Sequence, residues 1–412
     1  MSEPRPRCSL PGGLDPATYA ARGGLERTGF AEMSEPIFLT QGFVYDRAAD
    51  AAAAFAGDLP RYIYSRDANP TVAAFEERLR LIEGAGACTA TASGMSAIHA
   101  CLNALLRPGS RVVAAQELFG TTFAMLEGLF ADWGVRTDYV TGADLDEWRT
   151  ALAEPADVVI LETPSNPMNT IVDLPAVAEL AHAAGATVVV DNVMATPILQ
   201  RPLELGADVV VYSTTKHIDG QGRVIGGAIL GTADFINGPV EDFIHTTGPT
   251  LSAFNGWVLL KGLETLPLRV RAMADAALEL AEWLEGRPGV RAVHYPFLPS
   301  HPQHDLARRL MSGGGTVVTF DLGIDDDDPA VATERTFAFM DALQVIDISN
   351  NLGDVKSIVT HPSTTTHRKL GPEVRAANGI GATTIRFSVG LEAPADLIAD
   401  LDQALTAAGL QD

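Results

Sequence analysis

The stretch Asp208-Val-Val-Val-Tyr-Ser-Thr-Thr-Lys-His-Ile-Asp-Gly-Gln-Gly222 decides how the chain is read. It opens as a short β-branched run of the kind that forms a buried strand, then turns to hydroxyls, one lysine and a Gly-rich turn. Similar runs precede it at Arg111-Val-Val-Ala-Ala, Val135 to Val140, Asp157-Val-Val-Ile-Leu and Thr187-Val-Val-Val. Helical stretches lie between several of them. One is Leu174-Pro-Ala-Val-Ala-Glu-Leu-Ala-His-Ala-Ala-Gly185, which a glycine closes. Continuous apolar strands alternating with helices predict an α/β fold, with a mostly parallel sheet covered on both faces.

Working outward, the rhythm changes after Gly231. A helical region is expected from about Ser252 to Glu285, interrupted near Pro267. Mixed strands follow, such as Gly315-Thr-Val-Val-Thr-Phe and Thr384-Ile-Arg-Phe-Ser-Val, with amphipathic helices around them. This predicts a smaller α+β domain. Upstream, a Pro/Gly-rich stretch and the run Ala51 to Ala54, a short helix, read as an arm. The expected division is an N-terminal arm over 1–60, a large ligand-binding domain over 61–250 and a C-terminal domain over 251–412. The run Asp325 to Asp328 reads as a solvated loop.

The chain has 412 residues, 47% of them hydrophobic, enough for a substantial core. With 29 basic and 52 acidic residues its net charge is −23, which repels nucleic acid and anionic membrane. Cys8, Cys88 and Cys101 show no paired spacing, so neither a disulfide framework nor a metal site is expected. Met1 to Arg7 is polar, without an apolar run behind it, and no stretch of about 18 apolar residues exists. A cytoplasmic protein is expected.

Ligands of open parallel sheets sit beyond the carboxyl ends of the strands. Of the four lysines, only Lys216 follows a hydrophobic strand; Lys261 reads as a solvated helix face, and Lys356 and Lys369 lie in polar surroundings. A partly buried amine has its pKa lowered and becomes a nucleophile. With the hydroxyls of Ser213, Thr214 and Thr215 beside it, Lys216 fits the Schiff-base lysine of a pyridoxal-phosphate (PLP) enzyme. Asp191 ends the preceding apolar run and suits the pyridine nitrogen, although a lone Asp there is also a common helix cap. Ser93-Gly94-Met95 opens a helical stretch that suits a phosphate, although such a start is often only a cap. A dinucleotide site is the competitor, but no GxGxxG follows a strand.

Tyr64-Ser65-Arg66 through Asn69-Pro70-Thr71, Ser93-Gly94-Met95, Pro164-Ser165-Asn166-Pro167, Asp191-Asn192, Ser213 to Lys216, Asn351-Leu352-Gly353-Asp354, His361-Pro362 and Arg386 through Ser388-Val389-Gly390 occur in order. In this set the chain resembles the Cys/Met-metabolism PLP enzymes, the group that holds cystathionine γ-synthase, methionine γ-lyase and the homoserine-ester sulfhydrylases. Phe119-Gly120, the Tyr212 to Gly222 stretch, Thr247 to Asn255 and Asn350 to Lys356 look like its O-succinylhomoserine sulfhydrylase branch.

The resemblance implies fold type I and a homotetramer of two catalytic dimers with shared active sites. It implies that Lys216 holds the coenzyme, that Asp191 pairs with its ring nitrogen, and that Ser93, Gly94, Met95, Ser213 and Thr215 hold its phosphate. Tyr64 and Arg66 would reach the neighbouring subunit's phosphate. Arg386, the Asn351-Leu352 backbone and Asn166 would bind the substrate α-carboxylate. Many relatives carry a tyrosine over the coenzyme ring; here the position is Phe119, which stacks but carries no phenol. Lys356 stands where cystathionine-forming relatives often have an acid. The implied reaction is γ-replacement on an O-acylated homoserine with sulfide, giving homocysteine. The alternatives are a methionine or homocysteine γ-lyase and γ-replacement with another nucleophile.

Overall fold

A computed structural model describes residues 10–25 and 27–411. Cys8 and the polar N-terminus up to Arg7 lie outside the described residues. Among the described residues twelve strands form: β1 Ala87–Thr91, β2 Arg111–Ala115, β3 Arg136–Val140, β4 Val158–Glu162, β5 Thr187–Asp191, β6 Val209–Ser213, β7 Gly227–Gly231, β8 Val290–His294, β9 Val317–Leu322, β10 Asp347–Ile348, β11 Ile358–Thr360 and β12 Thr384–Ser388. Seven make one sheet in the order β1-β7-β6-β5-β4-β2-β3. The β2/β3, β2/β4 and β4/β5 pairings are parallel, and β1 runs antiparallel to β7. The other five make a second sheet, β10-β11-β12-β9-β8, mostly antiparallel. The protein is therefore an α/β molecule, with a mostly parallel large sheet and a smaller second one.

The residues fall into two compact units. One is the chain up to Leu105 with Val211–Asp219 and Arg223–Pro267; the other is Leu106–Val210, Gly220–Gly222 and the chain from Leu268 on. In the second unit the parallel strands show why continuous apolar runs were needed. Val113, Ala115, Val159, Leu161, Val188 and Val190 face one side, packed by Leu174, Val177, Ala178 and Ala181 of the helix Leu174–Ala183 and by Trp148. The strand residues alternate by two and the helix residues recur at three and four, as each element's geometry requires. The intervening Val112, Ala114, Val158, Ile160 and Val189 are buried as well. Each such Val, Leu or Ile side chain contributes about 1.5–3 kcal/mol on burial, so a polar residue inside these strands would be costly. Gly185, with φ of 81°, ends that helix as expected.

Two expectations are corrected. The region around Pro267 is one continuous helix, Ala253–Leu284, of 32 residues. An interior proline costs about 3 kcal/mol or more. Here Leu263, Leu266 and Val270 on either side are wholly buried, which offsets that cost. Lys261 is not a solvated surface lysine: its side chain is 21% exposed and pairs with Glu35 and with Glu264 at 2.8 Å. Glu35 in turn holds the buried Arg78, so the amine neutralises a cluster in the first unit.

The Asp325–Asp328 run is exposed, and Asp328 also caps the helix Pro329–Asp341. Among the described residues, no helix is long and apolar enough to cross a membrane. Cys88 and Cys101 are free thiols.

Candidate active site

In the first unit the end of β6 and the start of the helix Gly94–Leu105 meet. Ser93 caps that helix: its Oγ accepts the Ser96 N–H at 3.1 Å and its carbonyl accepts the Ala97 N–H at 3.0 Å. The N–H groups of Gly94 and Met95, in the first turn, have no partner inside the helix by construction. Gly94 lies against Ser213 so closely that an added Cβ would sit 2.6 Å from the Ser213 Cβ. The turn that carries Lys216 is closed by its N–H to the Ser213 carbonyl at 3.2 Å. Thr214 N–H and Thr215 Oγ1 donate to the Gly226 carbonyl at 3.0 and 3.2 Å. Thr214 Oγ1 is buried without a hydrogen-bond partner. Beyond Lys216 the buried Asp219 carboxylate accepts the Arg223 N–H at 2.7 Å and its Nε–H at 2.9 Å, which fixes the Gly-rich turn. Lys216 itself is half-buried.

Tyr64 and Arg66 lie together in the same unit. The guanidinium is 5.4 Å from the ring centroid, and its Nε is 3.4 Å from Asp67 Oδ1. Tyr64 is 42% exposed and the Arg66 side chain 46%.

In the second unit the register pairs Glu162 with Asp191 at the carboxyl ends of β4 and β5. Residues paired in this way share a face on strands about 4.8 Å apart, so two carboxyl groups are neighbours. Asp191 is half-buried and its Oδ1 accepts the Val193 N–H at 3.1 Å. Glu162 is buried, and its two oxygens accept the Asn166 N–H at 3.0 Å and the Phe119 N–H at 3.1 Å. Burial first, and then the charge of Asp191, push its carboxyl well above the usual range, against the pull of those N–H groups and Arg386.

Arg386 stands in the middle of β12, flanked by β11 and β9, and is 2% exposed. Its Nη1 donates to Asn166 Oδ1 at 3.0 Å, and its Nη2 to the carbonyls of Asn351 at 2.8 Å and Asn350 at 3.2 Å. Its Nε is buried without a hydrogen-bond partner. Burial pulls the guanidinium down to about 10, with Glu162 opposing. A charge in the centre of a sheet costs several kcal/mol unless it is paired. Three acceptors, with Nε left idle, suit a guanidinium held for an incoming anion. Leu352 is buried beside Met194 and Val317.

Of the residues expected from the sequence, Phe119, Asn166, Asp191, Arg386, Asn351 and Leu352 lie in this unit, and Ser93, Gly94, Met95, Ser213, Thr215, Lys216, Tyr64 and Arg66 in the other. Glu162 and His367 were not among them. Glu162 carried the same signal as Asp191, an acid closing an apolar strand. His367 carried none: it is 1% exposed, its Nε2 lies 3.1 Å from the Asn166 carbonyl, and its Nδ1 lies 2.8 Å from Thr366 Oγ1. A carbonyl can only accept, so Nε2 holds the proton and the threonine hydroxyl donates to Nδ1. Burial, then the charge of Arg386, hold its pKa at about 4, so the ring is neutral near pH 7.

A model of the Cys/Met metabolism PLP-dependent enzymes matches residues 17–406. The O-succinylhomoserine sulfhydrylase of Mycobacterium tuberculosis is 59% identical over 398 residues, 97% of either chain. That of Pseudomonas aeruginosa is 48% identical, with 95% of each chain covered. The L-methionine gamma-lyase of Pseudomonas putida is 40% identical, over 90% of this chain and 92% of that one. A crystal structure of cystathionine gamma synthase from Xanthomonas oryzae pv. oryzae, 34% identical, matches with a TM-score of 0.90 over 97% of this chain and 100% of that one.

Proposed function

The chain belongs to the Cys/Met-metabolism PLP-dependent enzymes, and from that premise we propose that it catalyses γ-replacement on O-succinylhomoserine, with sulfide as nucleophile and homocysteine as product. The observation that carries this choice is the higher identity to two O-succinylhomoserine sulfhydrylases than to the methionine γ-lyase.

The residues present fit the coenzyme. A helix start kept bare by Gly94, with the hydroxyls of Ser93, Ser213 and Thr215 around it, suits a phosphate. When bound, PLP supplies an aldehyde that links to an amine and an electron sink for charge developing at Cα. Lys216 holds that aldehyde at rest and moves the protons at Cα and Cβ during turnover. Asp191 keeps the ring nitrogen protonated. Phe119 covers the ring and has no hydroxyl, so proton traffic rests on Lys216. Arg386, with Asn166 and the Asn351-Leu352 backbone, holds the substrate α-carboxylate; its idle Nε supports that role. Succinate leaves from Cγ, and hydrosulfide forms the new C–S bond there. Tyr64 and Arg66 serve the partner subunit's phosphate in a homotetramer of two dimers with shared sites. The exposed Phe30, Met33, Val44 and Phe55 support such an interface. A reducing cytoplasm suits the free thiols.

Purified enzyme supplied with O-succinylhomoserine is expected to release homocysteine only when sulfide is added, and Lys216→Ala to abolish both the visible coenzyme band and turnover. Release of 2-oxobutanoate from methionine, without turnover of O-succinylhomoserine, would overturn the assignment in favour of a γ-lyase.

A further inference from the structure

Glu162 closes a strand whose other four residues are apolar and buried, and it is itself 4% exposed. A carboxyl group in that position carries a desolvation cost that Val or Leu would not. Both of its oxygens are engaged, and neither donor belongs to a regular element. Phe119 immediately precedes the helix Gly120–Met125 and has no side-chain cap of its own. Asn166 lies in the loop that leaves β4. One carboxyl group therefore pins two loops, through Phe119 N–H at 3.1 Å and Asn166 N–H at 3.0 Å. Each loop carries one working side chain. Phe119 offers its ring, and Asn166 its amide oxygen, which takes Arg386 Nη1 at 3.0 Å.

We propose that Glu162 is a positioning residue that sets the Phe119 ring and the Asn166 amide together, so that coenzyme affinity and amino-acid affinity both depend on one carboxyl group. The proposal rests on the reading above for what Phe119 and Arg386 bind, but not on the acyl group or the nucleophile.

Glutamine tells positioning from packing. It fills the same volume but has a single acceptor oxygen, and its amide nitrogen would face a backbone N–H, donor against donor. Glu162→Gln therefore keeps one of the two pins and loses the other. Apoenzymes of the parent, E162Q, N166A and E162Q/N166A are titrated with pyridoxal phosphate, read by tryptophan fluorescence. The holoenzymes are titrated with glycine, read by visible absorption, because glycine has no γ-substituent and needs no sulfide.

E162Q is expected to weaken about tenfold the ligand whose loop loses its pin, pyridoxal phosphate through Phe119 or glycine through Asn166, the size of one lost buried hydrogen bond. In the N166A background, E162Q should add little further loss for glycine, because the amide it would position is gone, while a coenzyme loss through Phe119 is unchanged. Binding of both ligands by E162Q within about twofold of the parent overturns the proposal. So does a glycine loss that multiplies undiminished in the double variant. Should E162Q fail to fold by circular dichroism, Glu162→Asp replaces it: one methylene short of spanning both loops, it is expected to show a loss of the same size in the ligand of the loop it no longer reaches. A parent that binds no pyridoxal phosphate would instead sink the functional reading itself.

Discussion

His367 donates to the Asn166 carbonyl while its neighbour Arg386 carries a charge, and only a neutral imidazole tolerates that position. Unfolded, the ring takes a proton below about pH 6.5; folded, only below about 4. Unfolding therefore takes up a proton between those values. The contribution is fully present above pH 6.5 and is lost as pH falls toward 4, about 3 kcal/mol in all. Glutamine can donate from its amide to the same carbonyl without titrating. His367→Gln is thus expected to lose less stability than the parent on going from pH 7 to 4.5, measured as the drop in urea midpoint; equal drops would show that the ring does not titrate on unfolding. The same network marks the limit of sequence reading at this scale. Lys216, Asp191 and Arg386 announce themselves by standing at or in apolar strands, where charge needs a reason. His367 follows three threonines in a polar loop, and only the fold buries it.

Among the elements, the strands built from valine and isoleucine were legible, and β1 and β7 were not. β7, Gly-Ala-Ile-Leu-Gly, is mostly Gly and Ala, which strands disfavour, and β1, Ala-Cys-Thr-Ala-Thr, mixes Ala with small polar residues and makes no apolar run. The reason is spatial: a Cβ on Gly227 would run into the main chain of Ser93, and one on Gly94 would lie 2.6 Å from Ser213 Cβ and 2.9 Å from its Oγ. Small residues are the means by which the helix start and the end of β6 approach, so weak strand propensity is the cost of that close approach, which the proposed phosphate site requires. Gly94→Ala separates the two effects. Helix propensity alone would favour alanine by about 1 kcal/mol. Overpacking against Ser213 opposes it by about 1–3 kcal/mol. The expected result is a lower melting temperature together with faster loss of coenzyme on dialysis. A rise in melting temperature with coenzyme retained would mean that Ser213 yields, and that the glycine serves only the local turn.

At the scale of the whole molecule the chain is strongly acidic, yet Phe30 is 94% and Val44 89% exposed in the segment leading to Tyr64. Apolar side chains left bare beside an exposed Tyr64–Arg66 pair are what a surface completed by a second copy would present. No periodicity or spacing could reveal that; it came from the resemblance of the Tyr64 to Arg66 motif, and one chain supplies only the bare surface. Mixing variants tests it. On the proposed sharing of sites, Arg66→Ala lacks the guanidinium that a subunit would lend, and Lys216→Ala lacks the lysine that a subunit would keep. In a mixed dimer, the site on the Arg66→Ala subunit has its own Lys216 and borrows an intact Arg66, while the other site lacks both. Random assortment of equal amounts makes half of the dimers mixed, each with one complete site in two, so about a quarter of parental activity should return. If each subunit instead used its own Arg66, no mixed dimer would hold a complete site. Activity would then stay at the mean of the two variants, and Tyr64 and Arg66 would have to be assigned to their own subunit.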